Sequence, residues 1–346
     1  MITLLKEVGR GKRGARDLTF EEALYAAEMI LSGKSTPAQT GAFLVAERIK
    51  MESIEEISAF VIACKERSLA FPAHGGIDCA GPYDGRTRSF LATLPTAFVL
   101  ASCGLPATLH ASPSLPPKWG ITLIDVWDAL GIPAGALSYE SLTTAAAASQ
   151  FLFVPSERWC QPLAGLRGLR EELGLRTVFN SAEKLLRFSD APYMAAGVFH
   201  GTVFEKMASL IQRLGVKRGL IVQGMEGSED LSVEKRTRTY LVQGSQAELY
   251  VVDPEHYELQ TEFPEMEWTA DRQADMMMAV LEGTAPLPYW NQVILNSAVR
   301  LWIAEKVSSV EEGIYLSKYQ LEHGLPLKQF QMWKKTVMAS VPSEAR

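Results

Sequence analysis

The stretch Ile77-Asp-Cys-Ala-Gly-Pro-Tyr-Asp-Gly-Arg-Thr-Arg-Ser-Phe90 decides the fold. Ile77 to Ala80 is short, apolar-rich and closed by Gly-Pro, which predicts a buried strand. The apolar run Pro95 to Cys103 beyond it predicts a helix. A loop between such a strand and such a helix sits where open α/β sheets bind ligands, at the carboxyl end of a strand. A phosphate cradle at that place is built from glycines, so that backbone N–H groups close on the anion. Here Gly81 is kept, but Pro82 removes a donor and Tyr83 adds a ring. Arg86 and Arg88 bring guanidinium groups that hold phosphate oxygens in another way. Ordinary surface arginines on a turn are the simpler reading of the same residues.

The alternation continues outward from this point. Pro106 to His110, Phe151 to Val154 and Arg218 to Gln223 read as strands, and Leu123 to Leu130 and Val203 to Leu214 as helices. This pattern predicts an α/β domain over residues 75–346, with a mostly parallel central sheet flanked by helices. Upstream, Leu18 to Ser68 is helical throughout, with caps at Thr19, at Ser35 or Thr36, and at Ser53. Three short helices enclose little core alone, so residues 1–70 form a small all-α lobe, completed by helices near 160–190 such as Arg167 to Leu173. The last helices, Asn291 to Val307 and Val310 to Glu322, precede a polar tail.

With 346 residues, 47% of them hydrophobic, the chain suffices for two domains. A formal charge of −6 excludes a surface that is basic all over, so any nucleic-acid contact needs a local groove. No run of about 18 apolar residues is present and the first residues lack a secretory pattern, which predicts a cytoplasmic protein. Cys64, Cys79, Cys103 and Cys160 lack CxxC spacing and suit reduced thiols.

Four further segments carry candidate chemistry. Gly9 to Arg16 sets Arg10, Lys12, Arg13 and Arg16 among glycines, a pattern that wraps a phosphate backbone or simply stays solvated. The Pro/Ser loop from His110 to Gly120 offers Lys118 to an anion and one titratable ring. Glu229 and Asp230, in a glycine-flanked turn after a strand, have the chemistry of Mg²⁺ ligands, or of a solvated acidic turn. Arg170, Lys184 and Arg187 form a second cationic cluster around Arg176 to Ser181.

At these residues the chain resembles the anthranilate phosphoribosyltransferase family, whose fold is shared with pyrimidine nucleoside phosphorylases. The likeness runs through the helical opening, the Thr96 to Leu105 segment, His110, Lys118 with Gly120, Phe151 to Ser156, and most specifically Arg170-Glu-Glu-Leu-Gly-Leu-Arg-Thr-Val-Phe-Asn180. The resemblance implies phosphoribosyl pyrophosphate and Mg²⁺ bound in a cleft between two lobes, and a homodimer formed through the helical lobe. It matches Lys118 to a lysine that contacts the diphosphate and Arg170, with His110, to the acceptor side. It sets Glu229-Asp230 at an Asp-Glu metal pair in reversed order.

The chain departs from the family where its first loop reads Gly-Thr-Gly-Gly-Asp followed by Asn-x-Ser-Thr. Gly81, Phe90 and Thr93 remain, but Leu91 replaces the asparagine. The family's His-Gly-Asn-Arg is His110-Ala-Ser-Pro113, and its Leu-Leu-Gly-Pro-Leu is Ser181-Ala-Glu-Lys-Leu185. Such departures resemble a divergent branch that binds DNA or RNA. The leading expectation is therefore single-stranded nucleic acid in a basic cleft of Arg10, Lys12, Arg13, Arg16, Arg86, Arg88, Lys118, Lys184 and Arg187, with Tyr83 and Trp119 as stacking surfaces and no anthranilate phosphoribosyl transfer. The alternative is a Mg²⁺-dependent phosphoribosyltransferase acting from phosphoribosyl pyrophosphate on anthranilate or another acceptor.

Overall fold

The computed structural model describes residues 1–11, 13–72 and 75–340. Its helical lobe opens with α1 (Ile2–Val8), α2 (Phe20–Leu31), α3 (Pro37–Lys50) and α4 (Ile54–Lys65). Thr19, Thr36 and Ser53 each accept from the backbone three residues on, and Glu22, Gln39 and Glu56 reach back in return. These reciprocal caps satisfy donors that a helix start leaves orphaned. α1 was not anticipated, since charge and glycine in Gly9 to Arg16 masked the apolar pair Leu4 and Val8 that buries it.

Two later helices complete the lobe. Leu169 and Leu173 of Arg167–Leu173 lie over Gly41, and Phe179 of Val178–Lys184 meets Phe60 edge-on at 5.2 Å. Inside the lobe, Glu56 accepts from Leu18 N (2.7 Å), Ser53 N (2.6 Å) and Lys50 Nζ (2.6 Å). Glu47 stands in the same interior without a hydrogen-bond donor on either oxygen. Burial, then the neighbouring Glu56 charge, pushes its carboxyl up to about 9.

Among the described residues the sheet has seven strands: β1 (Ile77–Ala80), β2 (Ala107–Ala111), β3 (Phe151–Pro155), β4 (Tyr193–Gly197), β5 (Arg218–Val222), β6 (Thr237–Gln243) and β7 (Gln246–Val252). Their order is β3-β2-β1-β4-β5-β6-β7, with β1 to β5 parallel and the β6–β7 hairpin antiparallel at one edge. The parallel strands are buried along almost their whole length, as helix layers on both faces require. The chain leaves β1 in one direction through β2 and β3, then returns to place β4 on the other side of β1. That reversal is the topological switch point beside which such sheets bind ligands.

The anticipated polar tail is instead the helix Leu325–Ala339. Its Trp333 is fully buried against Trp127 (4.5 Å between ring centroids), Phe151 (5.4 Å) and Phe98 (6.5 Å). Spacing was the missed signal: Phe330, Trp333 and Val337 recur at helical intervals and all are buried. Emptying the Trp333 site would cost on the order of 3–5 kcal/mol. Among the described residues no helix is long and apolar enough to cross a membrane.

Candidate functional site

Residues 81–90 leave the end of β1 and are fastened at once to the loop after β2. Arg86 N donates to Ile121 O (2.9 Å), Ile121 N to Arg86 O (2.8 Å), and Gly120 N to Asp84 O (3.0 Å). The backbones touch here: a Cβ on Gly85, whose φ is +73°, would lie 2.2 Å from Gly120 O. Both glycines are needed for this contact, and neither forms a phosphate cradle.

The fastening turns Arg86 inward, where it is 1% exposed. One guanidinium nitrogen donates to Asp230 Oδ2 (2.6 Å) and Phe90 O (2.7 Å), the other to Glu229 Oε2 (3.3 Å). Arg300, from the helix Leu287–Ile303, donates to Asp230 Oδ1 (2.9 Å) and Glu229 O (3.1 Å), and Thr93 N donates to Asp230 Oδ2 (3.1 Å). Burial works against the charge of Arg86 and Arg300, and nearby acidic groups, Asp230 and Glu229 among them, more than restore it. Mg²⁺ takes six oxygens in an octahedron and keeps several waters. Asp230 has both oxygens engaged, Glu229 faces a guanidinium, and the cavity beside them, of about 20 Å³, has room for about one water. Engaged in this way, the pair does not fit Mg²⁺.

Tyr83 is buried beside His110. His110 Nε2 lies 3.1 Å from Asp78 Oδ1, and His110 Nδ1 2.6 Å from Tyr83 Oη. With Asp78 an acceptor, Nε2 carries the proton and Nδ1 accepts from the phenol. His110 is thus a buried link between β1 and the loop. Arg170 is likewise engaged: its two nitrogens meet Glu183 Oε1 and Oε2 at 2.7 and 2.8 Å, with both side chains buried.

A cleft of about 190 Å³ opens between the lobes at the carboxyl ends of β1 and β4. Tyr83, Asp84, Arg176, Asn180, Lys184, Lys206 and Glu226 are among the residues that line it. Beside it, Lys118 lies 3.2 Å from Asp84 and donates to Glu226 O (3.0 Å), while Arg176 Nε donates to the other oxygen of Asp84 (3.0 Å). Lys184 donates to Gly197 O (2.8 Å), and burial pushes its ammonium down to about 8. Glu226 adopts a left-handed backbone (φ 57°) and directs its carboxylate at Thr87 N (2.8 Å), Thr87 Oγ1 (2.9 Å), Arg88 N (3.0 Å) and Ser89 Oγ (2.7 Å). Burial opposes that carboxylate, but these donors hold its pKa below normal.

The expected basic groove does not assemble. Arg86 and Arg170 face buried carboxylates, and Arg187 turns onto Ala191 O (2.7 Å) and Leu214 O. Arg10 pairs with Glu7, and Arg16 with Glu7 and Glu22, on the outside of the lobe, where Arg13 is also exposed. Arg88 is exposed beside a separate hollow, Trp119 projects into solvent, and Lys12 lies outside the described residues. Of the anticipated cations only Lys118 and Lys184 come to the cleft. Sequence reasoning missed Glu183, Glu226 and Arg300 as parts of this region. Arg300 was detectable as a lone charge in a helix otherwise buried almost all round.

Two family models match this chain in succession: a glycosyl transferase family helical bundle domain over residues 2–68 and a glycosyl transferase family a/b domain over residues 84–326. An anthranilate phosphoribosyltransferase of Acetivibrio thermocellus is 31% identical over 318 residues, 91% of each chain. The structure also matches that of the anthranilate phosphoribosyltransferase of Thermus thermophilus with a TM-score of 0.83 at 24% identity, over 97% of this chain and 99% of that one. The Saccharomyces cerevisiae enzyme, solved in complex with PRPP (phosphoribosyl pyrophosphate) and Mg, matches at 0.80 and 18% identity, over 98% of both. A helical bundle joined to an α/β domain around a switch-point cleft defines the class, and the chain belongs to the anthranilate phosphoribosyltransferase family of glycosyl transferases.

Proposed function

We propose that this chain is a phosphoribosyltransferase that binds a phosphorylated ribose, phosphoribosyl pyrophosphate, in the cleft between its lobes. The observation that carries the reading is the set of cations there, Arg176, Lys184 and Lys206 with Lys118 beside them, at the switch point of a sheet whose relatives are named as phosphoribosyltransferases. An incoming diphosphate would exchange with the carbonyl groups that Lys118 and Lys184 now bind. As the bond from the ribose anomeric carbon to the diphosphate lengthens, charge gathers on the leaving oxygens, and these cations stabilise it. The remaining contribution is alignment of the acceptor with that carbon. Because Glu183 already holds Arg170, the geometry favours an acceptor without a carboxylate over anthranilate.

Single-stranded nucleic acid has less support, since most of the cations that suggested it are paired internally or lie away from the cleft. Four free thiols, three of them buried, accord with a cytoplasmic setting. A homodimer through the helical lobe is supported by a hollow of about 1140 Å³ between α1, α3 and Arg167–Leu173, beside which Ile2 and Ile49 are exposed. Substituting Ile49→Asp should then yield monomers in sedimentation.

Calorimetric titration with phosphoribosyl pyrophosphate tests the main reading. Micromolar binding, weakened about tenfold or more by Lys184→Met, is the expected result. Absence of binding at millimolar ligand would overturn it. The fluorescence of anthranilate, unchanged on mixing with protein and phosphoribosyl pyrophosphate, would agree with the assignment of the acceptor.

A further inference from the structure

We propose that Arg86 is a built-in cation that takes the place of a divalent metal at Glu229 and Asp230, so that this chain binds its phosphorylated ligand without Mg²⁺. The ligand half of this statement rests on the function proposed above; the metal half does not.

The first support is position. Arg86 reaches both carboxylates, and its backbone N–H and C=O are both bonded to Ile121, so the side chain starts from a fixed point. The second is charge. Arg86 and Arg300 balance Glu229 and Asp230 in a region from which water is nearly excluded. A divalent ion added to that neutral cluster would leave an excess of two positive charges with no solvent to spread them, which a buried site does not tolerate. The third is coordination. Asp230 already accepts on both oxygens, from Arg86, Arg300 and Thr93 N, and among the described residues no three His, Cys, Asp or Glu side chains gather closely enough to hold a metal ion. The yeast structure with PRPP and Mg shows the same fold bound to a metal. Here a guanidinium supplies positive charge at the pair permanently and cannot be chelated away.

Mn²⁺ titration of the full chain, read by the electron paramagnetic resonance of the free ion, tests the metal half. Wild-type protein should leave Mn²⁺ free to millimolar concentration, and Arg86→Gln should gain a site that adding Glu229→Gln removes. A sub-millimolar site in wild-type protein that Glu229→Gln or Asp230→Asn abolishes overturns the proposal. A site that both substitutions leave intact lies elsewhere and agrees with it. Should Arg86→Gln not fold, the wild-type titration and these two variants still decide.

Phosphoribosyl pyrophosphate binding in EDTA and in millimolar Mg²⁺ tests the ligand half. Dissociation constants within about threefold are expected, and a loss of about tenfold or more in EDTA overturns the proposal. Failure to bind in both buffers would overturn the proposed function and with it the ligand half, while the Mn²⁺ result would stand.

Discussion

Arg170 and Glu183 close on each other as a two-pronged ion pair, nitrogen to oxygen at 2.7 and 2.8 Å, with neither side chain open to water. Truncating one partner strands a buried charge. Glu183→Ala should therefore lower unfolding free energy by roughly 3–5 kcal/mol, whereas replacing both residues by apolar side chains of similar volume should be close to neutral. Urea denaturation of the two single variants and the double variant measures the difference. An additive result would show that the pair does not act as a unit.

Lys184 sets a pH limit on anion binding. Its ammonium is pushed down to about 8 by burial, and an anionic ligand prefers the charged form. Affinity should be flat below about pH 8 and fall by up to about tenfold for each unit above it. Lys184→Met should bind more weakly and lose this dependence. A wild-type titration curve that stays flat to pH 10 would contradict the assignment.

Glu47 sets a pH limit on stability. Its folded-state pKa, about 9, lies far above the ordinary carboxyl value of 4.5. Between those values the folded chain binds the extra proton, so the favourable contribution is complete below about 4.5 and lost as pH rises through about 9. Glu47→Gln keeps the neutral form at every pH. Its melting temperature should match wild type near pH 4.5 and exceed it by a margin that grows to pH 9.

Glu226 occupies a nest of two N–H groups and two hydroxyls that would suit a phosphate equally well. Glu226→Ala should free those donors and tighten inorganic phosphate or diphosphate by about tenfold. Calorimetry on the variant decides this. Unchanged affinity would mean that the nest only braces the loop.

Much of the fold was legible because the signals were local. Caps at Thr19, Thr36 and Ser53 mark the lobe, and short apolar strands bounded by Gly and Pro mark the sheet. The candidate site was less legible, because a sequence shows that a residue is charged but not what it faces. Arg86 and Arg170 were counted as cations offered to a ligand, yet their partners lie 144 and 13 residues away and face them only after folding. Glu226 left no mark at all, since its role depends on a backbone turn and on donors from a distant loop. Lys118 came to the cleft's edge on the loop after a strand, and Lys184 came into it as the last residue of a helix.

Trp333 also bears on how this molecule comes into being. The ring that plugs the space between Phe98, Trp127 and Phe151 belongs to the last described helix, so on a ribosome these residues emerge long before their partner. Until then an oily face stays uncovered, open to chaperones or to other nascent chains. Synthesis of this chain is a wait with a sticky surface exposed, ended by one late-arriving indole.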